Sequence, residues 1–195
     1  MDKDRARRVL VLATLAFWLL TVSVAAADES RDAWTALVNG GHVALIRHGN
    51  APPGYGGDPP GFKIDDCATQ RNLDEKGRAQ ARALGEAFRQ RGVRAEKILS
   101  SPWCRCLETA RLMALGPVDG TWTAAASDRS RDRLAALREL LASWRGPGAL
   151  VVVTHALTVQ ALVGIMPGQA EIVVVRPRPG HETGVEVVGR IPGPE

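Results

Sequence analysis

Aromatic side chains are scarce in this 195-residue chain, at 5%, so aliphatic residues and alanine must build most of its core. Cysteine is scarce too. There are three (Cys67, Cys104, Cys106), no CxxC pair, and four histidines scattered along the chain, a pattern without the ligand spacing of a zinc site. Charge of one sign is nearly absent: 25 basic and 21 acidic side chains leave +4, too small an excess to demand a nucleic-acid partner. What the chain does have is 45% apolar and 24% charged residues, a globular composition that excludes disordered, collagenous and solenoid classes. Its length is that of one ordinary domain.

The amino terminus reads as a targeting segment. Residues 2–8 (DKDRARR) are basic, Val9 to Val24 is apolar apart from Thr14, Thr21 and Ser23, and Ala25-Ala26-Ala27 is a small-residue end. This is the pattern of a secretory signal peptide over residues 1–27, cleaved after Ala27, with the working domain over 28–195. The alternative is an uncleaved anchor, since the 19 residues from Val9 to Ala27 just reach across a bilayer. Both place the domain outside the cytoplasm, periplasmic or otherwise extracytoplasmic, with membrane contact only through an uncleaved leader. Four basic and two acidic groups leave with the leader, so the remainder carries +2 and any attraction for anions must be local. All three cysteines lie in the exported part, where two can pair. Cys104 and Cys106 sit about 200° apart around a helix axis, so only one of them can face Cys67; the expected bridge runs from Cys67 to one or the other and leaves an odd thiol.

Along the chain, the spacing predicts a short helix over Asp32–Asn39 and a strand over His42–Arg47. Residues 50–62 (NAPPGYGGDPPGF) are rich in glycine and proline and predict an irregular loop over a site. A helix follows over Asp74–Arg91, where Ala81, Leu84, Ala87 and Phe88 recur at helical spacing. A strand over Lys97–Ser100 leads into Ser101-Pro102, which predicts a helix with serine as its cap, running to Leu115. An edge strand over 121–126 and a helix over Arg131–Trp144 come next. The unbroken run Ala149–Val153 predicts a strand buried on both faces. A helix over Leu157–Ile165 and a strand pair, Ile172–Val175 with Val185–Val188, complete the pattern. Alternating strands and helices indicate an α/β sandwich with a mainly parallel sheet.

Parallel sheets hold ligands at the carboxyl ends of their strands. Those ends read Arg47-His48-Gly49, Ser100-Ser101-Pro102 leading to Arg105, and Thr154-His155. Two arginines can grip a phosphate with fork-shaped donors. A neutral imidazole can attack phosphorus, and a second can donate to the oxygens where transition-state charge spreads. Helix amino termini after residues 102 and 155 suit an anion. Glu108, three residues on from Arg105, is placed to orient it. Arg71 is either a loop charge or a third phosphate contact, and Asn50 is a further candidate contact. His42 and His181 read as structural.

The ordered set LIRHG (45–49), NLDEKGRAQA (72–81), LSSPWCRCLETA (99–110) and VVVTH (151–155) resembles the histidine phosphatase superfamily, the phosphoglycerate mutase-like branch, from about Val43 to Gly164. The resemblance implies a three-layer α/β/α fold and no cofactor. It also implies that His48 is the phosphorylated nucleophile, with Arg47, Arg105 and His155 completing the phosphate pocket and a small phosphorylated substrate as ligand. The chain departs from the family's usual pattern at Asn50, Ala51 and Ala156. The segment after the ETA helix, which in relatives supplies a proton-donating carboxylate, is short here; Asp128 is the candidate for that acid, with Asp119 behind it. The stretches CATQRNL and WCRCLETA are similar to exported phosphatases of lipopolysaccharide-core sugar phosphates. Some relatives that act on good leaving groups, such as phosphohistidine, lack the acid, so a protein phosphohistidine phosphatase is one alternative. A catalytically inactive phosphate- or glycan-binding module is another.

Overall fold

The computed structural model describes residues 28–52, 57–126 and 130–195. Residues 1–27, where the signal peptide is expected, lie outside the described residues, as does Asp128. A first helix, α1, is described over 28–39. The other helices are α2 (Glu75–Gln90), α3 (Cys104–Leu112), α4 (Arg131–Ala142) and α5 (Ala156–Val163). The strands are β1 (Val43–Arg47), β2 (Ala95–Ser100), β3 (Val118–Gly120), β4 (Ala149–Thr154), β5 (Ile172–Pro177) and β6 (Val185–Ile191).

The strands form one sheet in the order β3-β2-β4-β1-β5-β6. The β1–β4, β2–β4 and β2–β3 pairs are parallel, whereas β5 runs antiparallel to both β1 and β6. All five residues of β1 and all six of β4 are buried, as their unbroken apolar runs require of central strands covered on both sides. Their side chains alternate between two cores. Ala44, Ile46, Val151 and Val153 face one core with α1, α2 and α3, through Leu37, Leu84, Phe88, Ala110 and Met113. Val43, Leu45, Leu150 and Val152 face the other with α4 and α5, through Leu134, Leu137, Leu141, Val159 and Leu162. The architecture is a three-layer α/β/α sandwich with a mainly parallel sheet.

Helix α2 shows the sequence logic most clearly. Gly77, Gln80, Ala81, Leu84, Gly85 and Phe88 form its buried stripe, and the Asp74 carboxylate caps it by accepting from the Gly77 N–H. Its two buried glycines mark close approaches. A Cβ on Gly85 would lie 1.9 Å from the Met113 carbonyl of the segment after α3, and one on Gly77 would lie 2.2 Å from the Asn50 carbonyl. Reciprocally, a Cβ on Gly49 would lie 2.5 Å from the Gly77 carbonyl. Backbone therefore meets backbone where α2 crosses the end of β1.

Three local expectations are corrected. Ser101 does not cap α3: its N–H still bonds the Val153 carbonyl at 2.9 Å, which extends the β2–β4 ladder. The helix starts two residues beyond Pro102, with Trp103 at the cap position and no side-chain capping bond; it ends at Leu112 rather than Leu115. The edge strand is Val118–Gly120, and residues 122–125 form a 3-10 turn instead of a strand. Side chains impose that turn. The Thr121 hydroxyl accepts from the Thr123 N–H, and the Thr154 and Thr158 hydroxyls donate to the Ala124 and Ala126 carbonyls, which replaces a strand ladder with side-chain bonds. Cys67, in a short 3-10 turn (Cys67–Thr69), bonds to Cys104 at the start of α3, and Cys106 is the free, buried thiol. Among the described residues no helix is long and apolar enough to cross a membrane.

Candidate active site

Register sets the site. Arg47 at the end of β1 pairs with Thr154 at the end of β4, and Ser100 at the end of β2 pairs with Val153. The ladder continues one step further, with the His48 N–H bonding the Thr154 carbonyl at 3.0 Å. The next residues, His48 and His155, consequently meet above the sheet with ring centroids 5.6 Å apart. They line a cavity of about 330 Å³ together with Arg47, Arg71, Arg105 and Asp58. Trp103, Leu157 and Met166 form its apolar wall. A cavity with apolar walls and a few converging polar groups is the usual form of a small-molecule site.

His48 is only 3% exposed. Its Nδ1 lies 2.8 Å from the Gly49 carbonyl and its Nε2 lies 3.3 Å from Arg105 Nε. A carbonyl accepts and a guanidinium donates, so Nδ1 carries the proton and Nε2 presents its lone pair to the cavity. Burial first, then the His155, Arg105 and Arg47 charges, hold the His48 pKa well below the ordinary histidine value despite its bond to the Gly49 carbonyl. The imidazole is thus neutral near pH 7, with an unprotonated Nε2 that accepts from Arg105 at the cavity, which is the form a nucleophile requires.

The arginines come from three directions. Arg47 is anchored by donating from Nη1 to the Pro167 carbonyl at 2.9 Å. Arg71 donates to the Ala51 carbonyl, which puts it inside the cavity wall rather than out in solvent as a loop charge. Arg105 comes from the first turn of α3 and is buried. Its backbone is tied to the segment that carries His48 through Thr109, whose hydroxyl donates to the Arg105 carbonyl at 2.7 Å and accepts from the Gly49 N–H at 3.1 Å. His155 stands at the cap position of α5 and bonds the Ser101 hydroxyl through Nε2 at 2.7 Å. Burial and then Arg105, Arg71 and Arg47 push its pKa down to about 3. That density of positive charge prepares the cavity for a dianion, and the first-turn residues Ala156, Leu157 and Thr158 of α5 line the same cavity.

Residues 43–119 match the histidine phosphatase superfamily (branch 1). A likeness in fold to solved structures extends beyond that segment. The protein histidine phosphatase SixA, complexed with tungstate, superposes with a TM-score of 0.56 at 16% identity, covering 77% of this chain and 96% of that chain. A mycobacterial glucosyl-3-phosphoglycerate phosphatase gives 0.54 at 17% identity, over 75% of this chain and 95% of that one. A mutant phosphoserine phosphatase from Entamoeba histolytica, in complex with phosphoserine, gives 0.55 at 16%, over 76% and 95%. No functionally curated protein matches the sequence significantly.

The remaining expected site residues fall elsewhere in the fold. Asn50 turns away from the cavity: its amide donates to Asp74 Oδ2 at 2.6 Å and its N–H to Gln80 at 2.9 Å, so it braces the α2 cap instead of touching phosphate. Asp119 is exposed on the edge strand. Glu108 does not orient Arg105; it pairs with Arg78 of α2 at 2.7 Å. Arg105 is held instead by Asp58, at 2.7 Å with both side chains less than a tenth exposed. Sequence reasoning missed Asp58, although it is the one carboxylate in the loop expected over the site. Ser101, read only as a cap, is a second omission. His42 and His181 bond the Gly40 carbonyl and the Thr183 hydroxyl, away from the cavity. Among the described residues no group of three or more histidine, cysteine or acidic side chains is placed to hold a metal.

Proposed function

We propose that this chain is an exported phosphatase that hydrolyses phosphomonoesters through a phosphohistidine on His48. The observation that carries the reading is the setting of His48, whose Nδ1 lies against the Gly49 carbonyl and whose Nε2 meets Arg105 in a cavity lined also by Arg47, Arg71 and His155. In the first half-reaction the Nε2 lone pair attacks phosphorus while the leaving oxygen departs on the opposite side. Arg47, Arg105 and His155 donate to the equatorial oxygens, where charge accumulates. In the second half, water attacks the phosphorus of the phosphohistidine and the bonding pair returns to Nε2. The Gly49 carbonyl keeps the same tautomer in place for both steps.

Export is supported by the leader pattern of residues 1–27 and by the Cys67–Cys104 bridge, a bond that persists in oxidising compartments. A sugar phosphate of the cell envelope suits the organic side of the cavity. Trp103 stacks edge-on against His155 at 5.3 Å and against Trp122 at 5.5 Å, giving a broad apolar surface beside the phosphate cradle for the leaving alcohol.

The test is phosphate release from 4-nitrophenyl phosphate in excess EDTA, with the His48→Ala variant alongside. The expected outcome is turnover by the parent protein and none by the variant, with both keeping the same unfolding midpoint. Equal turnover by the two proteins would remove His48 from the chemistry. Turnover that EDTA abolishes would replace the metal-free mechanism. If only phosphorylated histidine in a protein substrate were hydrolysed, the phosphohistidine phosphatase reading would stand in place of the sugar-phosphate one. Phosphate binding without turnover of any ester would leave a binding module.

A further inference from the structure

We infer that Asp58 is the proton donor to the leaving oxygen, the catalytic acid of the reaction proposed for His48, on which this inference rests. The segment where relatives carry that acid supplies no cavity-lining carboxylate among the described residues, whereas Asp58 lines the cavity itself. Three donors fix its carboxylate. Arg105 Nη1 donates to Oδ1 at 2.7 Å, the Arg71 N–H donates to the same oxygen at 3.0 Å, and the Trp103 indole N–H donates to Oδ2 at 2.9 Å. The side chain is only 7% exposed, so these contacts define its position. The same guanidinium that holds Asp58 by Nη1 points its Nε at His48 Nε2. One arginine therefore spans the nucleophile and the carboxylate, and a phosphoryl group gripped by Arg105 has both within reach. Trp103, on the organic side of the cavity, bonds the second oxygen of Asp58, so the carboxylate stands where the leaving alcohol would lie.

The electrostatics give this acid a trigger. Burial pushes the Asp58 pKa up, but bonds from the Arg71 N–H, Arg105 and Trp103 outweigh it and hold the value below the ordinary carboxylate range. The charged and titratable groups around it are Arg105 and Cys106 from α3, Arg71 from the segment before α2, Arg47 and His48 at the end of β1, and His155 at the start of α5. Cys106 is a neutral thiol, pushed up to about 12 chiefly by burial. When a phosphate dianion takes Arg105 as its partner, Asp58 loses its main counter-charge and gains a negative neighbour. Both changes favour its protonated form. The acid is thus armed by the substrate it serves.

The proton balance closes over the cycle. As the His48 Nε2–P bond forms and the P–O bond breaks, the departing oxygen keeps the bonding pair and takes the Asp58 proton. The resulting carboxylate accepts a proton from the water that attacks the phosphohistidine, while the P–N pair returns to Nε2. Asp58 is then protonated as it was in the substrate complex; when orthophosphate leaves and Arg105 pairs with it again, it returns to solvent the proton it took up when substrate bound.

The experiment compares 4-nitrophenyl phosphate with β-glycerol phosphate for the parent protein, Asp58→Asn and Asp128→Asn. An aryl oxide leaves without help, whereas an alkoxide needs a proton. The expected result for Asp58→Asn is a loss on the order of 10²- to 10⁴-fold on the alkyl ester, the range typical of general acid catalysis, with the aryl ester within about tenfold of the parent. The alkaline limb of the kcat profile, which reports the substrate-bound enzyme, should vanish in that variant, a change that a merely structural role would not produce. Asp128→Asn should keep the parent's alkyl-to-aryl ratio. Equal losses on both esters, or a selective alkyl loss in Asp128→Asn alone, would overturn the assignment. Faster aryl turnover with tighter vanadate binding in Asp58→Asn would also overturn it, showing a carboxylate that only competes with phosphate for Arg105. Each of those results leaves the His48 reading standing; a parent protein inactive on both esters would remove that reading and this inference together.

Discussion

Arg105 joins three separate contacts in one buried guanidinium: His48 Nε2, the Asp58 carboxylate and the Arg71 carbonyl. Its removal should therefore show in two measurements at once. In Arg105→Ala, kcat/KM for an aryl phosphate should fall on the order of 10²- to 10³-fold, the usual cost of losing one preorganised donor to developing charge. The same variant should lose about 3–5 kcal/mol of stability, because Asp58 is left as a buried carboxylate without its ion-pair partner. Adding Asp58→Asn to Arg105→Ala should restore much of that stability, measured by urea unfolding, and none of the activity. A double variant no more stable than Arg105→Ala would show that the pair contributes nothing. The sequence made Arg105 readable because it follows a strand end at helical spacing. It hid Asp58, because a proline- and glycine-rich loop has no periodicity from which the direction of a side chain can be read. Glu108 misled for a related reason: i,i+3 spacing permits a pair with Arg105, but α2 presents Arg78 on the same side and captures it.

Among elements, α3 depends most on a contact that its own sequence does not supply. Its cap position has no side-chain bond, and its first residue is held by the disulfide from Cys67, 37 positions earlier. Closing a loop of that length is worth about 3–4 kcal/mol by the chain-entropy relation. Cys67→Ser should lower stability by that order and make the midpoint of thermal unfolding insensitive to dithiothreitol, whereas the parent should fall to the variant's value on reduction. A parent midpoint unmoved by reductant would mean that the bridge is absent or idle. The regular elements were the legible ones. The apolar stripes of α2 and α4 and the runs of β1 and β4 state their period and burial directly. What could not be read was where long-range bonds override local preference. Residues 121–126 look extended until the hydroxyls of Thr154 and Thr158 claim their carbonyls. Ser101 looks like a cap until β4 and His155 claim its N–H and its hydroxyl. Which of Cys104 and Cys106 meets Cys67 was equally beyond periodicity, since both lie on one helix and only the tertiary path of the preceding loop chooses between them.

For the whole molecule, the site imposes a pH dependence on folding. His48 and His155 both have native pKa values below the ordinary histidine value, His155 at about 3. In the unfolded chain each takes up a proton near pH 6.5, so below that point the unfolded state binds more protons and stability falls as the pH drops. Each histidine contributes a slope of about 1.4 kcal/mol per pH unit until its native pKa is reached. Above pH 6.5 neither titrates in either state and their contribution is flat. Urea unfolding from pH 7.5 to 4.5 should therefore show a decline that is shallower by one proton in His48→Ala. Identical slopes in the two proteins would mean that His48 is charged in the native state.

The meeting of Gly49 with Gly77 carries a different consequence. Each lies so close to the other's backbone neighbourhood that neither has room for a methyl group, and one of them is the third letter of the Arg-His-Gly signature. That letter is therefore dictated by architecture: it records how closely a crossing helix leans on the strand that leads into His48. A short signature of this kind is a composite, with two letters written by chemistry and one by carpentry. Redesign of the pocket can vary the apolar wall freely, but α2 cannot be shifted or thickened without tilting His48.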